Sequence, residues 1–298
     1  GQKLEYFLQV WDNDGVNGRK SSKTSVFAFK FPSKEEVKAE LAKDSQKAQD
    51  KLEESLNQAK EINDDIKDLQ DKLKGKKKLD WQDKKNIEKL LEKNEDLKKE
   101  IEKLQNINKQ FNEKNQKFNT ENEKLAEKAE QLQKLMDELL DEETKKLYDE
   151  LNELLEQNYI NQDLQEKLDN IELKEETLEK ELERALELFK KLKFDTKADE
   201  IAKELEELAE KQEELAEETE DSKNKELEDI KEKQEELNED FEEIQKDLEE
   251  LNEINESLEN QKNLEQFDKQ EQNIEQEQKN LQENLEQQKQ KKASESQQ

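Results

Sequence analysis

The chain has no cysteine and no histidine. Disulfides, thiolate nucleophiles, zinc sites built on Cys or His, and imidazole acid–base chemistry are excluded on that ground. Arginine occurs only as Arg19 and Arg184, so the bidentate phosphate and guanine contacts of guanidinium are scarce. One proline and four glycines in 298 residues leave little room for turns or phosphate-binding loops. No apolar run approaches the roughly 20 residues of a membrane-spanning helix. No secretory leader is expected at the start of the sequence.

Charge is what the chain has in quantity. Charged residues make up 46% and hydrophobic ones 29%, and the net charge is −31. A polyanion of this kind is repelled by nucleic acid and by anionic lipid, so no nucleic-acid partner is expected. The composition cannot fill a thick core, but it suits long helices with narrow apolar seams. Such a composition also suits disorder, against which the sustained periodicity argues for most of the chain.

That periodicity is clearest in Lys84–Leu140. Leu90, Leu97, Leu104, Phe111, Phe118, Leu125, Leu132 and Leu139 recur every seventh residue, with Asn94, Ile101, Asn108, Asn115, Asn122, Ala129 and Met136 between them. The 4-3 alternation makes the first series heptad position d and the second position a. It predicts one coiled-coil helix about 85 Å long. Four asparagines at position a form either a register and partner selector or a wet, loosely packed seam.

The chain divides into six stretches. Residues 1–32 hold two alternating segments, Leu4–Trp11 and Ser25–Phe31, which read as a β-hairpin. An isolated two-stranded hairpin is not stable in water, so it is expected to be the end of a truncated β-sandwich. Asp12, Asp14 and Asn17 in its loop raise a calcium reading, but the spacing falls short of an EF-hand loop and a plain turn is preferred. Residues 33–75 form a first helix, capped by Ser33 and Glu36 and closed at Gly75. Residues 81–140 are the long heptad helix, with Asp80 as its cap. Trp81 is expected to cover the preceding turn; an exposed partner-binding anchor is the alternative.

Residues 141–173 break into short helices and a turn, where the chain would reverse and Tyr148, Tyr159 and Ile160 would gather. Residues 174–267 return as long helices along Lys84–Leu140, with an interruption expected at Lys193-Phe194-Asp195-Thr196. Lys211-Gln212-Glu213-Glu214-Leu215 recurs as Lys233-Gln234-Glu235-Glu236-Leu237. This offset of twice eleven relaxes the supercoil. Residues 268–298 are a polar low-complexity tail.

Three stretches carry a resemblance. Tyr6-Phe7-Leu8-Gln9-Val10-Trp11-Asp12-Asn13-Asp14-Gly15-Val16-Asn17-Gly18, followed by Lys20-Ser21, Ser25 and Phe31-Pro32-Ser33, resembles the end of an Ig-like domain in a family of large bacterial envelope proteins of unknown function. Leu79-Asp80-Trp81-Gln82 and Leu182-Glu183-Arg184-Ala185-Leu186-Glu187-Leu188-Phe189-Lys190 are similar to its helical part. The resemblance spans residues 4–220. It implies an extracytoplasmic segment tethered by transmembrane helices outside this chain, and it transfers no catalytic residue.

No catalytic, cofactor-binding or metal-ligating residue is assigned, and no cofactor is expected. Carboxylates are too numerous for any pair to be informative, and two-carboxylate metal sites in bundles use Glu-x-x-His. The expected fold is mainly α: an elongated coiled coil, antiparallel helical hairpin or bundle behind a short N-terminal β-hairpin. A parallel homodimer is the competing architecture. The expected function is a non-enzymatic scaffold of the bacterial envelope, periplasmic, docking protein partners on its coiled-coil surfaces. The alternative is a cytoplasmic coiled-coil tether of a chromosome-organising or filament-like assembly.

Overall fold

The computed structural model describes residues 3–13, 16, 18–118, 122–155, 162–221 and 227–286. Among them the chain forms four short strands and seven helices. The fold is mainly α, with the β-hairpin at the N-terminus.

The hairpin is two ladders in line. Strand β1 (Lys3–Tyr6) pairs with β4 (Phe27–Lys30), and β2 (Gln9–Trp11) with β3 (Ser21–Lys23), both antiparallel. Between the ladders, two residues on the first arm face three on the second. The extra residue is a bulge, closed by the Leu8 amide on Thr24 Oγ1 and the Thr24 amide on the Leu8 carbonyl. Leu4 and Tyr6 lie opposite Phe29 and Phe27 on one face, and the Tyr6 and Phe27 rings stack at 5.5 Å. These side chains stay 46–56% exposed, and the hairpin packs on no helix. The Asp12 carboxylate accepts the Lys20 amide at 2.9 Å across the loop. Asp14 and Asn17, the other oxygens of the calcium reading, lie outside the described residues.

Helix α1 (Lys34–Leu73) starts at a capping box: Ser33 Oγ accepts the Glu36 amide and Glu36 accepts the Ser33 amide. Gly75 (φ 78°) ends it in a left-handed conformation that a side chain would strain. Helix α2 (Trp81–Phe118) opens on a second reciprocal cap, Asp80 with Asp83, tied down by the Lys76 ammonium. The turn is plugged by buried Leu79 and not by Trp81, which is 72% exposed under the Lys85 ammonium.

The expected single helix over 81–140 is two helices. Asn122 is extended and caps α3 (Glu123–Glu138), which runs back along α2. Asn108 donates to Gln133 at 2.8 Å, and Gln105 to the Met136 carbonyl at 2.7 Å. A brief break at Leu139–Asp141 separates α3 from α4 (Glu142–Leu155), and both run antiparallel to α5 (Gln162–Asp221). Lys128 pairs with Asp195, Asn122 with Asp199, and Lys174 with Asp141 and Glu143. With two reversals between them, α5 runs parallel to α2 and not back along it. Asn94 meets Glu175, and Phe111 meets Phe189 further along both helices.

Helices α1, α2, α3–α4 and α5 thus make an up-down-up-down four-helix bundle. Its core includes Leu52, Ile62, Ile66, Leu97, Ile101, Leu104 and Phe189. Of the short helices and turn expected in 141–173, the first is present as α4, while the second is the start of α5, continuous from Gln162; Tyr159 and Ile160 lie outside the described residues. Nor is α5 interrupted at Lys193–Thr196. There it changes partner: Phe189 and Leu192 face the four-helix core, while Phe194 and Ile201 face a second core. That core is built with α6 (Leu227–Glu256) and flanked by α7 (Glu265–Glu286). At 1.5 Å per residue α5 is about 90 Å long, and it is the spine shared by both bundles.

Candidate functional site

The two bundles meet at a lattice of charges. Lys38 of α1 pairs with Glu204 of α5 and Asp247 of α6, and Lys197 of α5 pairs with Asp247 and Glu250. Burial pulls the Lys38 pKa down, but its bonds to Asp247 and Glu204 outweigh this and hold it above the usual lysine value. Burial raises the Asp247 carboxyl, and Lys197 and Lys38 reverse that and hold it low. A half-buried carboxylate sandwiched between two ammonium groups is a satisfied structural joint.

The other buried charge cluster is not satisfied in this way. Glu175 of α5 is fully buried. One carboxyl oxygen, Oε1, accepts the Tyr148 hydroxyl of α4 at 2.8 Å and the Asn94 amide of α2 at 3.1 Å. Its second oxygen, Oε2, is buried without a protein partner. No ammonium bonds to Glu175 among the described residues; neighbouring Lys174 turns out to Asp141 and Glu143. Burial therefore dominates, and it pushes the Glu175 pKa up to about 7, with Tyr148 and Asn94 opposing the rise. Burial, and then the nearby Glu175 carboxyl, also raise the Tyr148 hydroxyl well above its ordinary value.

Beside this triad lies a cavity of about 500 Å³ between α2, the α3–α4 junction and α5. Leu91, Leu97 and Ile101 wall it on α2, Leu140 and Tyr148 on α3–α4, and Leu178 on α5. It exists because the chain breaks at Leu139–Asp141, where the Asp141 side chain caps α4 by accepting the Glu143 amide.

No family model, curated protein or solved structure matches the chain. The site therefore has to be read from its own chemistry. A lone carboxyl near neutrality can exchange a proton, yet general acid–base catalysis needs a substrate-facing partner. Both groups bonded to Glu175 are spent holding it. The described residues contain no group of His, Cys, Asp and Glu able to hold a metal. The arrangement is a buried, protonatable fastener between three helices.

Composition hid Glu175 among 84 acidic residues. The signal was nonetheless present. Leu164, Leu168, Ile171, Glu175, Leu178, Leu182, Ala185, Phe189 and Leu192 alternate by four and three, so Glu175 occupies a seam position where an apolar side chain belongs. Of the four asparagines at position a, Asn94 binds Glu175, Asn108 binds Gln133, Asn122 caps α3, and Asn115 is buried. Asn94, Asn108 and Asn122 thus bond to side chains of other helices in the same chain.

Proposed function

We propose that the protein is a non-enzymatic structural segment of a membrane-anchored bacterial envelope protein, serving as a rigid spacer and protein-docking rod. One observation carries this reading: α5 runs unbroken through two successive bundles, so the ends are held apart by one continuous helix. Among the described residues no helix is long and apolar enough to cross a membrane, so anchoring falls to segments other than these. The hairpin supports a β-domain continuing beyond this chain. Its Leu4, Tyr6, Phe27 and Phe29 face is the kind of surface that further strands cover. The excess of acidic over basic side chains in a −31 chain keeps such a rod soluble and favours protein partners over nucleic acid or anionic lipid.

Protease accessibility in cells tests the location. With the outer membrane permeabilised and the inner membrane intact, added protease should cut the rod. A rod that stays intact until the inner membrane is lysed would overturn the envelope reading and favour the cytoplasmic tether.

A further inference from the structure

The buried triad and the cavity beside it combine in one device. Glu175 sits on the spine helix, which is fixed along both bundles. Asn94 sits on α2, which is held against α1 by Lys93–Asp65 and Lys114–Asp44 pairs. Tyr148 sits on α4, fourteen residues long and separated from α2 by the cavity. Of the three elements that share the carboxyl, α4 has the least else to hold it. We propose that α4 is a pH-released flap: loss of the Glu175 proton to solvent raises the fraction of molecules in which α4 has left α2 and α5, hydrating the carboxylate and exposing Leu151 and Leu155.

The charges around Glu175 offer no alternative relief. On α5, Lys174 is committed to Asp141 and Glu143, and Glu176 and Glu179 point to Lys67 and Asn63 of α1. On α2, Glu95 and Lys98 line the cavity and make no bond to Glu175; on α4, Lys145 and Asp149 do the same. Burying a carboxylate with no cation is costly, whereas the neutral acid fits this site. Asn94 and Tyr148, the two groups bonded to Glu175, line the cavity, so movement of α4 there gives the carboxylate a route to solvent. Outside the triad α4 is held by Leu151 and Leu155, which are buried in the four-helix core, and by the surface pairs of Lys174 with Asp141 and Glu143 and of Lys167 with Glu150, which contribute little.

The closed state holds its proton to about pH 7, while the hydrated open state behaves like an ordinary glutamate, near 4.5. Opening is therefore favoured by roughly tenfold per pH unit between these values and levels off above the higher one. Amide exchange of α4, corrected for the intrinsic pH dependence of exchange, reads this directly on the whole protein. Protection in α4 should fall about tenfold between pH 5.5 and 6.5 and be flat above pH 7.5, while α1 stays unchanged. In Glu175→Gln, which mimics the neutral acid, α4 protection should not depend on pH. Tyr148→Phe keeps the carboxyl but removes a donor that favours its charged form, so its levelling-off should move to higher pH. Wild-type α4 protection that is flat with pH overturns the proposal. So does a slope that survives in Glu175→Gln, or a Tyr148→Phe profile identical to wild type.

Discussion

At the scale of single residues, stability in this molecule depends on what occupies the seam positions. Leu104 is fully buried and Phe111 nearly so. Replacing both by Asp removes two large apolar contacts and buries two charges, at a cost of several kcal/mol, on the order of 5. Thermal melting followed by helical circular dichroism should drop sharply, whereas Glu102→Asp with Glu113→Asp, both on the exposed face, should melt like wild type. Glu175 acts with the opposite sign. Because its folded pKa is raised, its contribution is fully present below pH 4.5 and lost as pH rises through about 7. Glu175→Gln should therefore match wild type in urea denaturation near pH 4.5 and exceed it near pH 7.5, by about 3 kcal/mol. Asp141 and Asp247, whose pKa values are lowered, act below pH 3.8 and leave that window clear.

At the scale of elements, the α2–α3 hairpin is the clearest case. A continuous helix would set residues 108 and 133 about 38 Å apart; here their side chains hydrogen-bond at 2.8 Å. The native chain has no cysteine, so Asn108→Cys with Gln133→Cys should form an intramolecular disulfide under mild oxidation. Failure to cross-link, or cross-linking only between chains, would restore the long helix or the parallel dimer.

The α5–α6 pair has its own logic. The repeated Lys-Gln-Glu-Glu-Leu segments fold onto each other antiparallel about a reciprocal amide pair, Gln212 with Gln234 at 2.9 and 3.0 Å. Around it, Lys211 pairs with Asp240 and Lys233 with Glu218, an arrangement with local two-fold character. Gln212→Leu alone should remove both bonds to the buried Gln234, whose Nε2 keeps Asn238, and cost about 1–2 kcal/mol. Gln212→Leu with Gln234→Leu should recover most of that loss, as measured by a double-mutant cycle of melting.

At the scale of the whole molecule, α5 couples two bundles whose cores are separate. The Lys38–Asp247–Lys197 joint and the change of face between Leu192 and Phe194 make that coupling. The hairpin stands apart: it packs on no helix, and the exposed Lys30–Glu36 pair joins it to the start of α1. Removing residues 1–31 should leave the helical melting transition within about 2 °C of the parent, because no packed contact is lost. A large drop would mean the hairpin supports the bundle.

The sequence determined what local chemistry determines. The Ser33–Glu36 box, the Gly75 stop and the Asp80 cap are short-range hydrogen-bonding and dihedral effects, and the seven-residue repeat named nearly every side chain that packs between α2 and α3. It could not say how many helices carried that repeat. The heptad count runs through Asn122 without a miss because α2 and α3 each present their seam residues to the same core. Periodicity records which face is buried, not whether the backbone continues. The pattern likewise blurred at Phe194 because α5 is packed on different sides along its length, and a helix with two partners shows no single stripe. Whether a carboxylate is buried depends on which helices surround it. Only the packing of α2, α4 and α5 separated Glu175 from the other acidic side chains, by removing water from it without supplying a cation.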